Sequence, residues 1–374
     1  MRPRVKNEHC PIRFGDDWVR IGGDVFGVAA EIWDPEGAVW ALLELLDGTR
    51  TVGQVVADLA RLFPDRSAEE VRADIELLID RGYAEDADEP ECVELSARQR
   101  ERYHRGRLLN RWVDLARRSS SWEFQVRMSR ARVVVVGVGG VGCTAASALA
   151  RSGVGHLHCV EPDVIELSNL NRQILYTEQD LGRLKVDVAV ERLRATNSDI
   201  AVTGERTRID GTASLRALLA GCDVLAMCAD QPGEIRTWTN QACALTGTPW
   251  VYGAYTGPQA DIGLYRPGTG PCFECARAAE RERDELRPPV AIWRPKPAEP
   301  PEHAANAVTA GLVGNLVAHA VMSLITEAPR LRVNCQHGYS LATLDHTFTT
   351  ILDRPHPHCR TCGRGARTAG RRPA

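Results

Sequence analysis

The chain has 374 residues, of which 44% are hydrophobic and 25% are charged, and its formal net charge is −3 at pH 7. This length allows two or three domains. Charges and proline interrupt residues 1–17, so no early apolar stretch is long enough for a signal peptide or a membrane span. We therefore expect a soluble, cytoplasmic protein that makes no membrane contact.

The first 90 residues predict a small winged-helix-like α+β domain. Capping boxes begin two of its helices at Thr51 and Ser67, and Gly82 ends the last one. The predicted elements are, in order, two strands at 18–21 and 25–28 and three amphipathic helices at 39–46, 51–63 and 67–80. An acidic, irregular linker is predicted at 85–94.

Charge argues against DNA as the partner of this front domain, although winged-helix units often bind DNA. Residues 1–95 contain 10 Lys and Arg against 22 Asp and Glu, a net charge of −12 that repels a phosphate backbone. The run 45–52 and the helix end 81–83 resemble the PqqD-type domains that recognise leader peptides of ribosomally made natural products. That resemblance implies that an extended peptide adds as a strand between a sheet edge and the third helix. A structural or dimerisation extension is the alternative.

A glycine-rich loop follows the β-branched run 132–136, which predicts a central parallel strand. The glycines lead into a helix whose N-terminus offers free N–H groups and a positive dipole end to phosphate. The next strand, 156–160, ends at Glu161, where a carboxylate can accept hydrogen bonds from ribose hydroxyls. Taken alone, these features suit NAD or FAD as well as ATP. The loop glycines are Gly137, Gly139, Gly140 and Gly142.

Residues beyond the acid distinguish ATP from a dinucleotide. The segment 168–173, Ser-Asn-Leu-Asn-Arg-Gln, and Lys185 place a guanidinium and an ammonium group near a triphosphate. When a carboxylate attacks the α-phosphorus, negative charge grows on the leaving pyrophosphate, and fixed cations and Mg²⁺ stabilise it. Asp230 follows the strand 223–228 at the carboxyl edge of the sheet, and its hard oxygen suits Mg²⁺. The pattern predicts an adenylating enzyme.

Residues 133–231 closely resemble the ThiF/MoeB/HesA adenylyltransferases, the bacterial relatives of ubiquitin-activating enzymes, and 168–173 is close to a signature of that family. The resemblance extends over 96–362 and implies a Rossmann-like, doubly wound, mostly parallel sheet in a domain at 91–363. We assign ATP and Mg²⁺ binding to Gly137, Gly139, Gly140, Gly142, Glu161, Asn169, Arg172, Gln173, Lys185, Asp230 and Gln231.

The resemblance also implies a homodimer. In the family, an arginine from the partner subunit reaches the ATP from an Arg-Tyr-x-Arg helix, which 102–105 matches and which nominates Arg105. The usual Gln is Gly106 here, the span to Gly137 is longer than usual, and a solvated amphipathic helix is the alternative. The predicted catalytic residues are Arg105, Arg172, Lys185 and Asp230.

Two Cys-x-x-Cys pairs stand apart from the other cysteines of the chain. In a reducing compartment, such pairs separated by a domain-sized span predict a tetrahedral Zn²⁺ site. Four thiolates leave no open position for water, so the zinc is structural, as in many members of the family. Two unlinked redox pairs are the alternative. The four predicted ligands are Cys272, Cys275, Cys359 and Cys362.

The segment 281–301 is charged and rich in proline, and we expect a mobile crossover loop at about 276–303. Thioester-forming relatives carry a nucleophilic cysteine in this region, but the chain has none between Cys275 and Cys335. Cys335 follows the strand-like run 331–334 and is expected to be packed. His303 and Asn306 open a helix at 304–325 as capping or packing residues, with substrate contact as the alternative. The basic tail, 364–374, is expected to be disordered.

These patterns together favour ATP- and Mg²⁺-dependent adenylation of a carboxylate on a ribosomally synthesised precursor peptide, without an enzyme thioester. The precursor binds through its leader, and a further maturation enzyme is left open as a partner. One alternative is activation of the C-terminal glycine of a ubiquitin-like sulfur carrier. Another is a non-catalytic scaffold that presents leaders to a cyclodehydratase.

Overall fold

The computed structural model describes residues 1–289, 291 and 304–363. By packing, the chain divides into two compact units. The first contains Met1–Arg127 with Thr326–Arg330, and the second contains Met128–Ile325 with the chain from Leu331 onward.

The first unit contains two small antiparallel sheets and a set of helices. Strands β2, β3 and β4 form one sheet in that order, and β1 pairs with β5 in the other. The elements are β1 (Pro3–Val5), β2 (Ile12–Phe14), β3 (Trp18–Ile21), β4 (Ala30–Trp33), α1 (Ala38–Leu45), α2 (Val52–Leu62), α3 (Ala68–Asp80), β5 (Ala84–Asp86), α4 (Ala97–Val113) and α5 (Glu123–Arg130).

Local sequence signals explain the helices of this unit. The predicted capping boxes are confirmed, since the side chains of Thr51 and Ser67 accept from backbone N–H groups three residues later. Gly82 adopts a φ of +71°, and a Cβ there would lie 2.5 Å from the backbone nitrogen of Ala116. Only glycine fits, so α3 ends there. The face of α3 that carries Val71 and Ile75 is fully buried in the core.

The predicted strand at 25–28 is wrong, because this segment is a turn and the strand that pairs with β3 is β4. Gly22 has a φ of +96°, and a Cβ there would lie 2.8 Å from the carbonyl oxygen of Val28. The left-handed backbone at Gly22 and Gly27 reverses the chain, which an extended strand does not permit. The predicted linker also begins too early, since residues 85 and 86 belong to β5.

Helix α4 packs within the first unit, which therefore extends beyond the predicted domain end at residue 90. The ammonium group of Lys6 donates to the backbone carbonyls of Arg111 and Asp114, at 3.2 Å each. The imidazole of His9 lies 2.8 Å from the carbonyl oxygen of Trp112. These buried polar contacts join the end of α4 to the first residues of the chain.

The second unit is built on one eight-stranded sheet in the order β13-β12-β11-β10-β9-β6-β7-β8. The elements are β6 (Arg132–Val136), α6 (Gly140–Arg151), β7 (His156–Val160), α7 (Lys185–Thr196), β8 (Ala201–Glu205), α8 (Thr212–Leu218), β9 (Val224–Met227), α9 (Ile235–Thr246), β10 (Trp250–Thr256), β11 (Gln259–Tyr265), α10 (Phe273–Glu285), α11 (Ala307–Thr326), β12 (Cys335–Ser340) and β13 (His346–Ile351).

Five neighbouring strands, from β8 to β10, are parallel, and the last three are antiparallel. The helices that follow β6 and β7 connect parallel strands, as in a doubly wound fold. The predicted α/β class and its mostly parallel sheet are confirmed. The run 331–334, predicted as strand-like, is irregular, because Asn334 has a φ of +59°. Cys335 instead begins β12 and is buried, as expected.

Helix α11 is long and apolar enough to cross a membrane by length and composition. It lies instead inside the second unit, where Val313 and Val317 pack so closely on Gly253 that a Cβ there would lie 2.6 Å from each. It is therefore a core helix. Asn306 caps it, as expected, by accepting from the backbone and hydroxyl of Thr309.

Helix α10 occupies the start of the predicted crossover loop, since residues 276–285 are helical. Cys272 lies at the N-cap of α10 and is held there by the cysteine cluster described below. Residues 286–289 and 291 of the predicted loop are also described. The remaining loop residues, 290 and 292–303, which include His303, lie outside the described part of the chain, as does the basic tail at 364–374.

Candidate active site

A cleft of about 550 Å³ opens at the carboxyl ends of the parallel strands of the second unit. This is the edge where open α/β sheets bind ligands. Nine of the predicted nucleotide-binding residues line it: Gly137, Gly139, Gly140, Glu161, Arg172, Gln173, Lys185, Asp230 and Gln231.

The glycine loop between β6 and α6 is built around three close approaches. Gly137 has a φ of +87°, and a Cβ there would lie 2.7 Å from the backbone nitrogen of Ala229. At Gly140 the nearest atom would be the Cβ of Ala310, at 3.0 Å. At Gly142 a Cβ would collide with the carbonyl oxygen of Gly137. Gly142 thus allows the tight turn and is not among the described residues that line the cleft.

Glu161 is buried at the end of β7 and is held by the loop beside it. One carboxylate oxygen accepts from the backbone N–H of Val138 at 2.9 Å, and the other from that of Asp163 at 3.1 Å. Burial raises the pKa of Glu161, while the positive charge of Lys185 opposes that shift. Each oxygen keeps acceptor capacity for a hydroxyl of a ribose.

Two cations flank Asp163, which lies two residues after Glu161. Lys185 begins α7 and is buried, with its ammonium group 3.6 Å from a carboxylate oxygen of Asp163. The exposed guanidinium of Arg208 lies 3.7 Å from the other oxygen of the same carboxylate. Asp163 therefore holds a buried ammonium group at the wall of the cleft, where it can meet a phosphate.

The signature segment forms a compact helical turn. Arg172 donates to the carbonyl of Ser168 and to the side chain of Asn171, both at 2.9 Å. Asn169 is buried, and its side-chain oxygen accepts from the backbone N–H of Glu166 at 3.1 Å. Asn169 thus orders the turn that presents Arg172, and it is not among the described residues that line the cleft.

Gln173 supplies an open acceptor at the cleft. Its side chain is 3% exposed, and its amide oxygen has no hydrogen-bond partner among the described residues. A buried unsatisfied polar atom costs free energy unless a ligand or water meets it. This open acceptor, the free N–H groups of the loop and the cations suit a nucleotide triphosphate. Asp230, exposed at the same edge, offers a carboxylate suited to Mg²⁺.

Cys228 also borders the cleft, at the end of β9. Burial raises the pKa of its thiol to about 12. The thiolate is the nucleophilic form of cysteine, so this residue is a poor nucleophile near neutral pH.

The four predicted metal ligands meet in one cluster. The sulfur atoms of Cys272, Cys275, Cys359 and Cys362 all lie within 4.8 Å of one another. The sulfur–sulfur distances between the two motifs, at 3.2–3.5 Å, are shorter than those inside each motif, at 3.7–3.8 Å. Zinc bonded to four thiolates at about 2.3 Å separates the sulfurs by roughly 3.8 Å. The cluster fits zinc, and the alternative of two unlinked redox pairs is wrong.

Neighbouring N–H groups support this metal-binding arrangement. The side-chain amide of Asn240 donates to the sulfur of Cys272 at 3.4 Å, and the backbone N–H of His356 donates to Cys275 at 3.3 Å. Such donors stabilise thiolates and orient them toward a metal.

Four charged residues that line the cleft were not predicted as site residues from the sequence: Asp163, Arg208, Arg236 and Asp261. Asp163 lies two residues after Glu161, so its position near the end of a strand could have predicted it as a cleft residue. Arg208 and Asp261 have no motif around them and reach the cleft only through the pairing of strands. Arg105 lies exposed on α4, in the first unit, and its role stays a prediction.

The ThiF family matches residues 113–361, two thirds of the chain. The chain belongs to the ThiF family. Residues 30–86 match coenzyme PQQ synthesis protein D (PqqD). Both resemblances inferred from the motifs are confirmed.

Its relatives in the ThiF family include the SAMP-activating enzyme E1 of Haloferax volcanii, 32% identical over 65% of this chain and 84% of that protein. The sulfur carrier protein adenylyltransferase of Thermus thermophilus is 32% identical over 64% of this chain and 85% of its own length. The protein is an ATP-dependent adenylyltransferase. The microcin C7 biosynthetic enzyme MccB, solved in complex with N-formylated MccA, is 20% identical with a TM-score of 0.73, covering 97% of this chain and 100% of that one. This likeness concerns the fold.

Proposed function

We propose that the protein adenylates a carboxylate of a ribosomally synthesised precursor peptide, which it recruits through the leader. One observation carries the proposal: a PqqD match at residues 30–86 precedes the adenylyltransferase cleft in the same chain. The fold is similar to that of MccB, which has been solved with the peptide MccA and with ATP.

The cleft residues suit this reaction. A carboxylate oxygen of the peptide attacks the α-phosphorus, the new C–O–P linkage forms, and the bond to the β-phosphate breaks as pyrophosphate leaves with the electron pair. Glu161 would bind the ribose, and the glycine loop and Arg172 the phosphates. Lys185 would stabilise charge on the leaving pyrophosphate. Asp230 would hold Mg²⁺, which would supply further stabilisation of that charge.

The product is proposed to be an acyl-adenylate that is not passed to an enzyme thiol. Burial keeps Cys228 protonated near neutral pH, and the chain has no cysteine between Cys275 and Cys335. A cytoplasmic location is proposed as well, since ATP and Mg²⁺ are abundant there.

Sulfur carrier activation is the second candidate, and the names of the relatives in Haloferax and Thermus favour it. The two functions differ in the acceptor that supports exchange between ATP and pyrophosphate. We expect a precursor peptide with its leader to support exchange and a ubiquitin-like carrier with a C-terminal glycine not to. The reverse result would replace the proposed function with carrier activation.

Lys185→Ala provides the test of the nucleotide site. We expect it to reduce peptide-dependent ATP–pyrophosphate exchange by at least about 1,000-fold, since it removes a cation that stabilises the transition state. Arg183→Ala is the matched control, because Arg183 lies two residues away, is exposed, pairs with Asp180 and Glu191, and is not among the described residues that line the cleft. Full exchange in Lys185→Ala, or tight NADH binding by the wild type without ATP binding, would contradict the assignment.

A further inference from the structure

The cleft has an end to which the nucleotide assignment gives no role. Its glycine loop, ribose acid and buried ammonium group come from the ends of β6 and β7 and from the start of α7. The order of the sheet continues from β6 through β9 to β10 and β11, and these last strands also line the cleft. A nucleotide bound over β6 and β7 therefore leaves the β10–β11 end for the other substrate.

Arg236, in the first turn of α9, brings a guanidinium group to this end of the cleft. Its central carbon lies 4.9 Å from the centre of the Tyr252 ring, so the group stacks over an aromatic face. Its Nε is buried and has no hydrogen-bond partner among the described residues. Arginine presents a rigid fork of donors that matches a carboxylate.

Asp261, on β11, also lines this end of the cleft. Burial raises the pKa of Asp261, while the positive charge of Arg236 lowers it. Asp261 and Arg236 form no ion pair with each other in the described part of the chain. Both residues line the cleft, where a group that carries both an acceptor and a donor can meet them.

The backbone is adapted to hold this arrangement. Gly263 lies opposite Tyr252 in the pairing of β10 with β11. A Cβ at Gly263 would overlap the Tyr252 ring, lying 2.2 Å from one of its carbons. The missing side chain therefore lets the ring lie over β11, where it supports Arg236.

We propose that Arg236 and Asp261 form the acceptor subsite, in which Arg236 binds the carboxylate to be activated and Asp261 accepts an N–H from the same residue of the substrate. The inference rests on the proposed adenylation of a peptide. The carboxylate loses its charge when it forms the acyl-adenylate, so the contact with Arg236 is strongest before the reaction. Arg236 then acts mainly on substrate binding and orientation, not on the charge of the leaving pyrophosphate.

Kinetics of variants test the subsite. Arg236→Gln is expected to raise the KM for the acceptor about 10- to 100-fold through loss of a charge-assisted pair, while the KM for ATP stays unchanged. Arg236→Lys should recover part of the loss. Arg216→Gln, an exposed change on α8, is the control. An unchanged acceptor KM in Arg236→Gln, with wild-type thermal stability, would overturn the role of Arg236.

A substrate analogue tests Asp261 without relying on folding. Methylation of the N–H of the reacting residue should raise the acceptor KM of the wild type about tenfold and should have little further effect in Asp261→Ala. Equal penalties in the two enzymes would overturn the contact. If only a sulfur carrier supports exchange, the proposed peptide function fails, yet the same KM measurements with the carrier still decide the subsite. If neither acceptor supports exchange, both inferences are overturned.

Discussion

Individual glycines of the phosphate loop have different tasks, and substitution separates them. Gly137 needs a left-handed φ and has backbone 2.7 Å from the position of a Cβ. Gly139 has a φ of −77°, and a Cβ there would meet nothing closer than the side-chain nitrogen of Gln173 at 3.8 Å. The backbone fold therefore requires glycine at position 137, whereas Gly139 faces open space in the cleft.

We therefore expect Gly139→Ala to fold with an unchanged Tm and to bind ATP at least about tenfold more weakly, because the methyl group blocks the approach of phosphate to the loop N–H groups. Gly137→Ala should lower the Tm, since it combines strain with a clash. Calorimetric titration and thermal unfolding measure the two effects. Full ATP affinity in Gly139→Ala would place the phosphates elsewhere.

The sequence predicted the residues of the cleft that follow buried strands, because a strand end in a parallel sheet has a known position. Glu161 and Asp230 are of this kind. Arg236 and Asp261 could not be predicted, because their proximity depends on how α9 packs and on the register of β10 with β11. Asn169 was predicted as a ligand contact, whereas the side-chain hydrogen bond that the structure gives it is to the backbone of its own turn.

At the scale of elements, helices were predicted more accurately than strands in the first unit. Capping boxes at Thr51 and Ser67 are local signals, and the structure keeps both. The apolar run 25–28 has the composition of a strand, but the neighbouring glycines turn the chain. Strand pairing is decided by distant segments, so composition alone misplaced it.

The cysteine cluster joins elements that are distant in sequence, the start of α10 and the segment after β13. We expect one zinc per chain by metal analysis, and Cys272→Ser should lower the Tm by roughly 10 °C because metal binding is coupled to folding. Cys222→Ser is the control, since this half-buried cysteine lies outside the cluster. Zinc-free protein of full stability would refute the site.

The leader is proposed to bind along α3, where Leu77 is 53% exposed. Leu77→Glu should raise the KM for a precursor with its leader about tenfold, because the leader raises the effective concentration of the reacting segment. It should leave the KM of a leaderless peptide unchanged. Leu62→Glu is the matched control, a leucine at the end of α2 that is 62% exposed. Equal effects of both variants would remove α3 from the leader site.

At the scale of the whole molecule, the two units carry different parts of the proposed function. The acidic front unit contains the PqqD match and α4, and the second unit contains the cleft and the cysteine cluster. The proposal that Arg105 of α4 acts on the ATP of a partner subunit comes from the family resemblance. No pattern of periodicity or charge in the sequence suggested it. This assignment stays a prediction, and it requires a homodimer with shared active sites.

Arg105→Ala should lower kcat far more than it weakens ATP binding, because a cation aligned with pyrophosphate acts mainly in the transition state. His104→Ala, the adjacent exposed residue, should change neither quantity. The decisive measurement mixes Arg105→Ala with Lys185→Ala, both inactive alone. Exchange of subunits gives heterodimers in which one of two sites has both residues intact, so activity should reappear. If exchange is demonstrated and the mixture stays inactive, Arg105 does not act across subunits.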